Sequence, residues 1–313
     1  MNDLRKTPLH AEHLRLRALM APFGGWDMPI QYEGIIAEHR WCREKAALFD
    51  ICHMGELSFS GDLVAAGLDQ AFSVPPSTIP VGRSRYGFLL NDQGGIIDDL
   101  ILFRRGADEL LIVVNAATAD NDYTIIAQRL HGGDLRNISS TTAKLDLQGP
   151  LARQVMERFF PQHVAQLPYF RFSPLSLLGT ELLVSRTGYT GELGYEIFLS
   201  SERVEELWRL LLTDERVKPA GLGARDLLRL EMGYSLYGSD IDEKTTPLQA
   251  DLASFVDFKR PFVGREALLA EEQGGVKRKK IAFQLDSRRS PRHDYEIDFA
   301  GQRVGTVTSG AFS

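Results

Sequence analysis

The spacing of apolar positions predicts a chain in which strands and helices are interspersed. The segment 110–130, LLIVVNAATADNDYTIIAQRL, opens with a β-branched run that ends at Asn115. It continues as a predicted helix with Thr118 at its N-cap, where a side-chain oxygen is favoured. A second helix is predicted to begin near Ser201, and a third covers 224–237. The apolar positions that recur on one face of the second helix are Val204, Leu207, Trp208 and Leu211.

Alternation of apolar and polar residues predicts several strands. Two of them are LLVSRTGYT (182–190) and GYEIFL (194–199), and two more lie near 295–299 and 303–308, joined by Ala300 and Gly301. The stretch DSRRSPRHD (286–294) is predicted to be a loop. Because the elements lack a regular βαβ rhythm, the pattern favours an α+β fold over a doubly wound sheet.

One apolar run contains two adjacent carboxylates. The stretch GGIIDDLIL (94–102) would resemble a buried strand without Asp98 and Asp99. Successive side chains of a strand face opposite sides, so at least one of the two is expected to point into protein. A buried carboxylate is costly without partners, so this one is expected to have partners or a chemical role.

Composition excludes several classes of protein. A chain of 313 residues with 43% hydrophobic and 25% charged residues is typical of a globular protein of two or three domains. The net charge of −6 argues against nucleic acid as a partner, and KRKK (277–280) is interpreted as a solvated face. No apolar run is long enough to span a bilayer. Cys42 and Cys52 are too few for a disulfide framework, and the seven histidines lack the ligand spacing of a metal site.

The glycine-rich stretch SRTGYTGELGYE (185–196) is the first candidate site. Its glycines indicate a backbone that turns tightly and approaches another group closely. Glu192 and Glu196 would repel a phosphate, but a carboxylate suits a neutral heterocycle with adjacent N–H donors. Tyr189 and Tyr195 supply area for stacking. From residue types alone, a plain β-hairpin with a glycine-rich turn is the favoured alternative.

Two further stretches are weaker candidates. In GLGARDLLRLEMGYSLYG (221–238), Asp226 replaces the third glycine of a dinucleotide-binding motif, so that function is disfavoured. The charged residues of this helix are compatible with ligand binding and equally with an internal ion-pair network; they are Arg225, Asp226, Arg229 and Glu231. His53, which follows an apolar segment, is interpreted as a core histidine.

Eleven ordered motifs resemble the T protein family of the glycine cleavage system, the tetrahydrofolate-dependent aminomethyltransferases. The motifs run along essentially the whole chain: TPLH, FGGWDMPIQY, FDICHMGE, GGIIDDL, VVNAA, QGP, SRTGYTGELGYE, GLGARDLLRLE, LYGSDIDE, PFVGREAL and TSGAFS. The resemblance implies a three-domain cloverleaf of antiparallel sheets around a central folate cavity.

The implied domains follow the family layout. A first folate-binding domain comprises 1–51 and 141–245, and a ferredoxin-like domain comprises 52–140, with 246–275 packing nearby. Residues 276–313 are expected to begin a C-terminal β-barrel or jelly-roll domain. Relatives continue past TSGAFS with more strands and a late arginine, so a chain ending at Ser313 is expected to be truncated and its last domain incomplete.

The resemblance also implies the chemistry. The one-carbon unit passes from the aminomethyl-lipoyl arm of the H protein to tetrahydrofolate, releasing ammonia and giving 5,10-methylenetetrahydrofolate. Asp99 matches the family's essential carboxylate and should face the cavity, with Asp98 on the other side of its strand. Glu196 should bind the pterin edge. The other positions implied to line the folate site are Met54, Tyr86, Asn115, Tyr189, Arg225 and Tyr234.

Departures and alternatives accompany this interpretation. Phe103, Phe170 and Phe255 stand where relatives carry tyrosine or tryptophan, which keeps stacking area but removes polar hydrogen bonds.

A folate-dependent demethylase of the same superfamily, acting on sarcosine, dimethylglycine or a sulfonium compound, is the main alternative. A non-enzymatic folate-binding protein is the third. The family implies a monomer, and the absence of an Arg/Ser-rich leader favours a bacterial or archaeal cytosol.

Overall fold

The computed structural model describes residues 4–286 and 290–312 and has a mixed α+β fold. The helices are α1 (His10–Arg15), α2 (Ile35–Glu44), α3 (Leu68–Ala71), α4 (Ala119–Arg129), α5 (Ala152–Phe159), α6 (Gln162–Ala165), α7 (Val204–Leu211), α8 (Leu222–Glu231) and α9 (Arg265–Gly274). The strands are β1 (Arg5–Lys6), β2 (Leu19–Phe23), β3 (Trp26–Gln31), β4 (Ala46–Asp50), β5 (Gly55–Ser60), β6 (Ser84–Leu90), β7 (Ile96–Arg104), β8 (Glu109–Val114), β9 (Asp134–Asn137), β10 (Thr142–Gln148), β11 (Phe172–Leu177), β12 (Thr180–Ser185), β13 (Gly194–Ser200), β14 (Val217–Pro219), β15 (Glu296–Phe299) and β16 (Gln302–Thr306). Two short 3-10 helices lie at Pro76–Thr78 and Ala253–Phe255.

A six-stranded sheet carries half of the candidate site. Its strand order is β11-β12-β13-β10-β4-β14, antiparallel except for the edge strand β14. Helices α5 and α7 cover one face, where their apolar side chains bury Leu145, Leu147 and Ile197. The opposite face presents polar side chains of β10 and β13, and these are also buried. This sheet is therefore covered on both sides.

A five-stranded antiparallel sheet supplies the other half. Its strand order is β6-β7-β8-β5-β9. Helices α3 and α4 pack on one face over an apolar layer. The other face brings Phe103, Leu111 and Val113 against Phe172 and Phe198 of the six-stranded sheet. The two sheets therefore meet face to face, and the candidate residues lie between them.

Most of the predicted elements occur, with shifted ends. The predicted strand and helix of 110–130 are β8 and α4, and the helix near Ser201 is α7. Thr118 occupies the N-cap position of α4, but its hydroxyl donates to the Asn115 carbonyl (3.2 Å) and makes no cap hydrogen bond. The strand predicted over 182–190 ends at Ser185, where the connection to β13 begins. The helix predicted over 224–237 is α8, which stops at Glu231 before Gly233, a residue with a left-handed φ of 68°.

The C-terminal part of the described chain forms a hairpin. The two strands predicted there are β15 and β16, which pair antiparallel across Ala300 and Gly301. Within 4–286 and 290–312 these strands form a two-stranded sheet and no barrel. Of the predicted loop 286–294, residues 287–289 lie outside the described residues, as does Ser313. None of the helices in the described ranges has the length and apolar content that crossing a bilayer requires.

Candidate active site

Strand β7 places the two adjacent aspartates on opposite faces of the five-stranded sheet. Asp99 lies opposite Phe88 of β6, and Asp98 lies opposite Leu89. Asp98 is fully buried, whereas Asp99 is only partly buried. The predicted division of the pair between two environments is confirmed, because strand alternation sends one carboxyl toward α4 and the other toward the six-stranded sheet.

Two hydrogen-bond donors hold the carboxylate of Asp99. The Tyr86 hydroxyl donates to Oδ2 at 2.9 Å, and the Asn115 side-chain amide donates to Oδ1 at 2.9 Å. Tyr86 lies on the neighbouring strand β6, with its ring edge-to-face against Phe88 (5.2 Å between centroids) and Phe255 (4.9 Å). Asn115 directly follows β8. Rigid elements on both sides therefore orient the carboxyl.

The surroundings of Asp99 bring the pKa of its carboxyl close to neutral pH. Burial, followed by the neighbouring Asp98 carboxyl, raises the pKa of Asp99 to about 7. The hydrogen bonds from Tyr86 and Asn115 favour the ionised form and oppose this rise. A group whose pKa lies close to the working pH is well matched to general base catalysis.

A tyrosine pair lies next to this carboxyl. The rings of Tyr189 and Tyr234 stack with centroids 5.7 Å apart and an interplanar angle of 24°. The Tyr189 hydroxyl donates to the Ser235 carbonyl oxygen. Burial raises the pKa of the Tyr189 hydroxyl, and the charge of Asp99 raises it further, because the carboxylate disfavours a second negative charge nearby. The pair offers an aromatic wall beside Asp99.

A buried ionic layer lies beneath the tyrosines. The Arg225 guanidinium is 5.1 Å from the Tyr189 ring centre and forms an ion pair with Asp146 of β10. Asp146 is directly opposite Glu196 of β13 in the sheet register. Burial raises the pKa of Asp146 to about 6, although the positive charge of Arg225 opposes that rise.

Glu196 is held in its ionised form within this layer. Its carboxylate accepts a hydrogen bond from the Thr187 hydroxyl and lies 3.6 Å from the ammonium of Lys144. Burial favours the neutral acid, but Lys144 and Thr187 together with Arg225 outweigh that effect and hold the pKa of Glu196 below its usual value. Lys144 and Glu196 are both almost fully buried.

The glycine-rich stretch 185–196 forms the connection between β12 and β13. The hairpin interpretation therefore describes its backbone, while Tyr189 and Glu196 within it face the site. The close approach expected of its glycines is to Gln148: a Cβ added at Gly194 would lie 2.0 Å, and at Gly188 2.2 Å, from the Gln148 amide nitrogen. That amide donates to Asp146 and to the Thr187 carbonyl (3.0 Å), so the glycines make room for a buried polar side chain.

The charged residues of α8 serve two purposes. Arg229 pairs with Asp226 (2.9 Å) on the helix and with Asp240 (2.6 Å) beyond it, as the ion-pair interpretation predicts. Glu231 pairs with Arg43 of α2 (2.5 Å). Arg225 instead turns toward Asp146 and the tyrosine pair. Helix α8 therefore carries an ion-pair network centred on Arg229 and, separately, the arginine at 225 that reaches the site.

Met54 and His53 lie in the connection between β4 and β5. Met54 packs against the apolar cluster that contains Phe49 and against the one that contains Phe103. Both Met54 and His53 line a small cavity of about 160 Å³ beside Trp26. His53 is buried, and burial lowers its pKa to about 4; its Nδ1 has no hydrogen-bond partner among the described residues.

The three phenylalanines for which the resemblance implied a loss of polar hydrogen bonds make aromatic contacts. Phe103 is fully buried between Phe172 and Phe198, with ring centroids 5.5 and 5.4 Å away. Phe255 packs on Tyr86, and Phe170 packs on Tyr169 with centroids 4.5 Å apart. The expected retention of aromatic contact area is therefore observed at all three positions.

Three buried polar residues of the site were not singled out from the sequence. Lys144 and Asp146 alternate with apolar residues along β10, a pattern that would normally indicate a solvent-facing side, yet both are buried, with Glu196 and Arg225 as their charged partners. Asp122 lies in the first turn of α4 and is fully buried rather than exposed to solvent. Among the residues in 4–286 and 290–312, no group of three or more His, Cys, Asp or Glu side chains could hold a metal ion.

Comparisons with known proteins identify the family of this chain. A family model described as the GCVT N-terminal domain matches residues 9–260. A curated aminomethyltransferase from Halothermothrix orenii is 42% identical over 315 residues, which cover 99% of this chain and 88% of the relative. A second, from Rubrobacter xylanophilus, is 42% identical over 99% of this chain and 84% of its own length. The crystal structure of glycine cleavage system aminomethyltransferase T from Bartonella henselae superposes with a TM-score of 0.93 at 35% identity, covering 99% of this chain and 86% of that one. With the family model matching most of the chain and relatives aligning along almost all of it, the chain belongs to the GCVT family.

Proposed function

We propose that this chain is the aminomethyltransferase of a glycine cleavage system. It transfers the one-carbon unit of an aminomethyl-lipoyl carrier to tetrahydrofolate and releases ammonia. Relatives named aminomethyltransferase align along 99% of the chain, and the Bartonella henselae enzyme of that system has the same fold. The demethylase and the non-enzymatic alternatives are not favoured by these similarities.

The observation that carries the proposal is the environment of Asp99. Its carboxyl lies between the two sheets, is oriented by Tyr86 and Asn115, and has a pKa of about 7. A carboxyl in this state can hold an N–H donor in a fixed direction and accept its proton. It also provides a negative charge beside any positive centre that forms in the cavity.

The balance of the reaction defines what Asp99 has to do. The carbon of the aminomethyl group loses its bonds to sulfur and to the amine and gains bonds to two folate nitrogens. Those nitrogens give up two protons in total, and the lipoyl thiol and ammonia gain them. We assign to Asp99 the orientation of the attacking nitrogen, the uptake of its proton and the stabilisation of the iminium-like carbon formed as ammonia leaves.

The residues around Asp99 fit a pterin. Tyr189 and Tyr234 offer aromatic surface, and the Arg225 guanidinium lies over the Tyr189 ring. The Glu196 carboxylate has Lys144 and Thr187 as partners, and two carboxylate oxygens have capacity for more donors, such as the N–H edge of a pterin. We therefore propose tetrahydrofolate as the acceptor bound here. Met54, Tyr86 and Asn115 complete the proposed site, with Met54 on its margin.

We also propose a donor protein, an oligomeric state and a division into domains for this chain. The lipoylated H protein is the proposed donor, in a bacterial or archaeal cytosol, and the chain is proposed to act as a monomer. The cloverleaf division also stays a proposal: 1–51 with 141–245, 52–140 with 246–275 alongside, and 276–313. The separate six-stranded and five-stranded sheets support its first two parts.

The direct test is a turnover assay with aminomethylated H protein and tetrahydrofolate, comparing the native chain with Asp99→Asn. Loss of the base should lower kcat/KM by about 10²- to 10⁴-fold, while the Kd for tetrahydrofolate changes little. Asp92→Asn, in the exposed turn between β6 and β7, is the matched control and should behave as the native chain. Full activity of Asp99→Asn would refute the role of Asp99. Turnover of a methylated amine without H protein would favour the demethylase alternative.

A further inference from the structure

The motif QGP (148–150) has no part in the proposed reaction, although its glutamine lies in a central strand of the six-stranded sheet. Gln148 is the last residue of β10 and pairs with Gly194 of β13 in the sheet register. Its side chain has no solvent exposure. Because a buried amide is costly unless its N–H groups and its oxygen find partners, those partners identify the groups that Gln148 holds in place.

The Gln148 amide has three hydrogen-bond partners. Its nitrogen donates to Asp146 Oδ1 (2.5 Å) and to the Thr187 carbonyl oxygen (3.0 Å), and its oxygen accepts from the Thr190 hydroxyl (2.7 Å). A carboxylate and a carbonyl accept and cannot donate, so the nitrogen must be the end of the amide that faces them. One side chain thereby joins the sheet to the turn between β12 and β13 at two points, on either side of Tyr189.

The turn that carries Tyr189 relies on side chains for its conformation. Among the described residues, no backbone–backbone hydrogen bond involves 187–192. Backbone groups that lack such bonds need other partners to hold them in one arrangement. Besides Gln148, Arg43 of α2 is such a partner, because it donates to the Thr190 carbonyl oxygen (2.6 Å) and to the Glu192 carboxylate (2.9 Å). The turn is therefore held by Gln148 from the sheet and by Arg43 from the helix.

Gln148 also acts on the Tyr189 ring through Asp146. Asp146 accepts from Gln148 with one carboxylate oxygen and from Arg225 with the other. The Arg225 guanidinium in turn lies 5.1 Å from the Tyr189 ring centre. Tyr189 is thus connected to the Gln148 amide by two routes, one through the backbone of the turn and one through Asp146 and Arg225. A displacement of the amide would disturb both.

Two glycines of the stretch 185–196 leave the space that this amide occupies. A Cβ added at Gly188 or at Gly194 would lie 2.2 or 2.0 Å from the Gln148 amide nitrogen. Neither glycine has a positive φ, so the backbone conformation does not itself require glycine at these positions. The close packing on Gln148 does require it. The glutamine of QGP and the glycine-rich stretch therefore form one packed unit.

We propose that Gln148 is a positioning residue for the folate site: its amide holds the turn around Tyr189 and the Asp146–Arg225 ion pair, and so fixes Tyr189 against Tyr234. This inference rests on the proposed function, because it makes the affinity for tetrahydrofolate depend on Gln148. Asp99 lies on the other sheet, so Gln148 should affect folate binding and leave the chemical step largely unchanged.

Gln148→Glu tests this role because it keeps the shape of the side chain and removes both N–H donors. The new carboxylate would face the Asp146 carboxylate and the Thr187 carbonyl, repelling the first and leaving the second without its donor. We expect the Kd of tetrahydrofolate to rise about tenfold, with kcat at saturating folate staying within about twofold of the native value. Gln166→Glu makes the same change at an exposed position after α6 and should keep the native Kd and kcat.

A second pair of variants separates the hydrogen bond from packing. Thr190→Val keeps the branched shape but removes the hydroxyl that donates to Gln148, whereas Thr190→Ser keeps the hydroxyl and loses a methyl group. If the amide positions the turn, Thr190→Val should raise the Kd of tetrahydrofolate about three- to tenfold, and Thr190→Ser should stay within about twofold of the native chain. A residue that acts through packing alone would give the reverse order.

The measurements are calorimetric titration with tetrahydrofolate for Kd and turnover with aminomethylated H protein for kcat. A native chain that binds tetrahydrofolate, with an unchanged Kd in both Gln148→Glu and Thr190→Val, would overturn the positioning role and leave the proposed function intact. A lower kcat with an unchanged Kd would overturn it as well. Should Gln148→Glu fail to fold in thermal unfolding, the order of the two Thr190 variants decides. A native chain without affinity for tetrahydrofolate would overturn the proposed function and this inference with it.

Discussion

At the scale of single residues, the site is a set of carboxyls whose surroundings give them different protonation states. Asp99 is poised near neutrality by burial and a neighbouring acid. Glu196, which is more deeply buried, is held ionised by Lys144 and Thr187. The protonation state of these carboxyls is set by their burial and by their hydrogen-bond and ion-pair partners, and not by residue type. The same principle allows the two roles proposed here, binding by Glu196 and proton transfer by Asp99, to lie in one cavity.

Tyr86→Phe tests how the surroundings of Asp99 set its pKa. The Tyr86 hydroxyl stabilises the ionised carboxyl, so its removal should raise the pKa of Asp99 further. Because the ionised form is the active one, the acid limb of kcat/KM should move to higher pH, with activity at pH 6 reduced about three- to tenfold. Activity well above pH 8 should change less.

The control for this substitution is Tyr295→Phe, which removes an exposed hydroxyl from the C-terminal region. Its pH profile should match that of the native chain. A Tyr86→Phe profile with an unmoved acid limb would mean that the hydrogen bond at 2.9 Å does not influence the group that titrates.

At the scale of elements, the sequence predicts the type of most helices and strands but not which faces are covered. The apolar stripe of α7 and the β-branched run of β8 bury their apolar residues as their patterns predict. Strand β10 alternates just as clearly, yet its polar face is as buried as its apolar face, because a second layer of structure covers it. There Lys144 pairs with Glu196 of the neighbouring strand β13, and Asp146 pairs with Arg225 of α8. Local pattern carries no information about that second layer.

The candidate site, like the fold, was predictable from the sequence only in part. Asp99 and the glycine-rich hairpin were singled out by their unusual local composition. The residues expected around them, such as Tyr86 and Asn115, came from the family resemblance. The burial of Asp122 could not be found in that way, since it lies in the first turn of a helix, where an acidic residue normally faces solvent and favours the helix dipole. Burial that depends on the tertiary packing of α4 leaves no local signal.

Gly95→Ala tests the packing of the element that carries Asp98 and Asp99. A Cβ at Gly95 would lie 1.8 Å from the Glu243 carbonyl oxygen, so the segment around Glu243 or the start of β7 would have to move. Forcing extra volume into such a contact costs about 1–3 kcal/mol. Chemical denaturation should show this loss of unfolding free energy, and kcat should fall with it.

The matched control is Gly274→Ala at the end of α9, where an added Cβ meets no atom within 4 Å. Alanine there should be neutral or slightly stabilising, because it reduces the conformational freedom of the unfolded chain. Equal stability of Gly95→Ala and Gly274→Ala would show that the contact at Glu243 yields without cost.

At the scale of the whole molecule, the site depends on two sheets remaining face to face. The five-stranded sheet supplies Asp99 and Tyr86, while the six-stranded sheet and its connections supply Tyr189 and Glu196. A ligand that contacts both halves binds the folded chain and not the unfolded one. Its binding should therefore stabilise the fold by mass action.

Tetrahydrofolate should raise the midpoint of thermal unfolding. At about 100 times its Kd the expected stabilisation is roughly 2.7 kcal/mol, which corresponds to a few degrees. Tyr189→Ala should unfold cooperatively but show a smaller rise, since it removes one ring of the aromatic wall. Tyr295→Ala removes an exposed ring from the C-terminal region and should keep the full rise. An unmoved midpoint in the native chain at saturating folate would contradict binding between the sheets.

The most direct test of the central claim is the single-turnover rate of 5,10-methylenetetrahydrofolate formation as a function of pH, in the native chain and in Asp99→Asn. The native rate should rise with pH through a midpoint near 7, the pKa of Asp99, and then level off. Asp99→Asn should be slower by about 100-fold or more and should lack that midpoint. The same midpoint in both proteins would contradict the claim, because another group would then be the one that takes the proton.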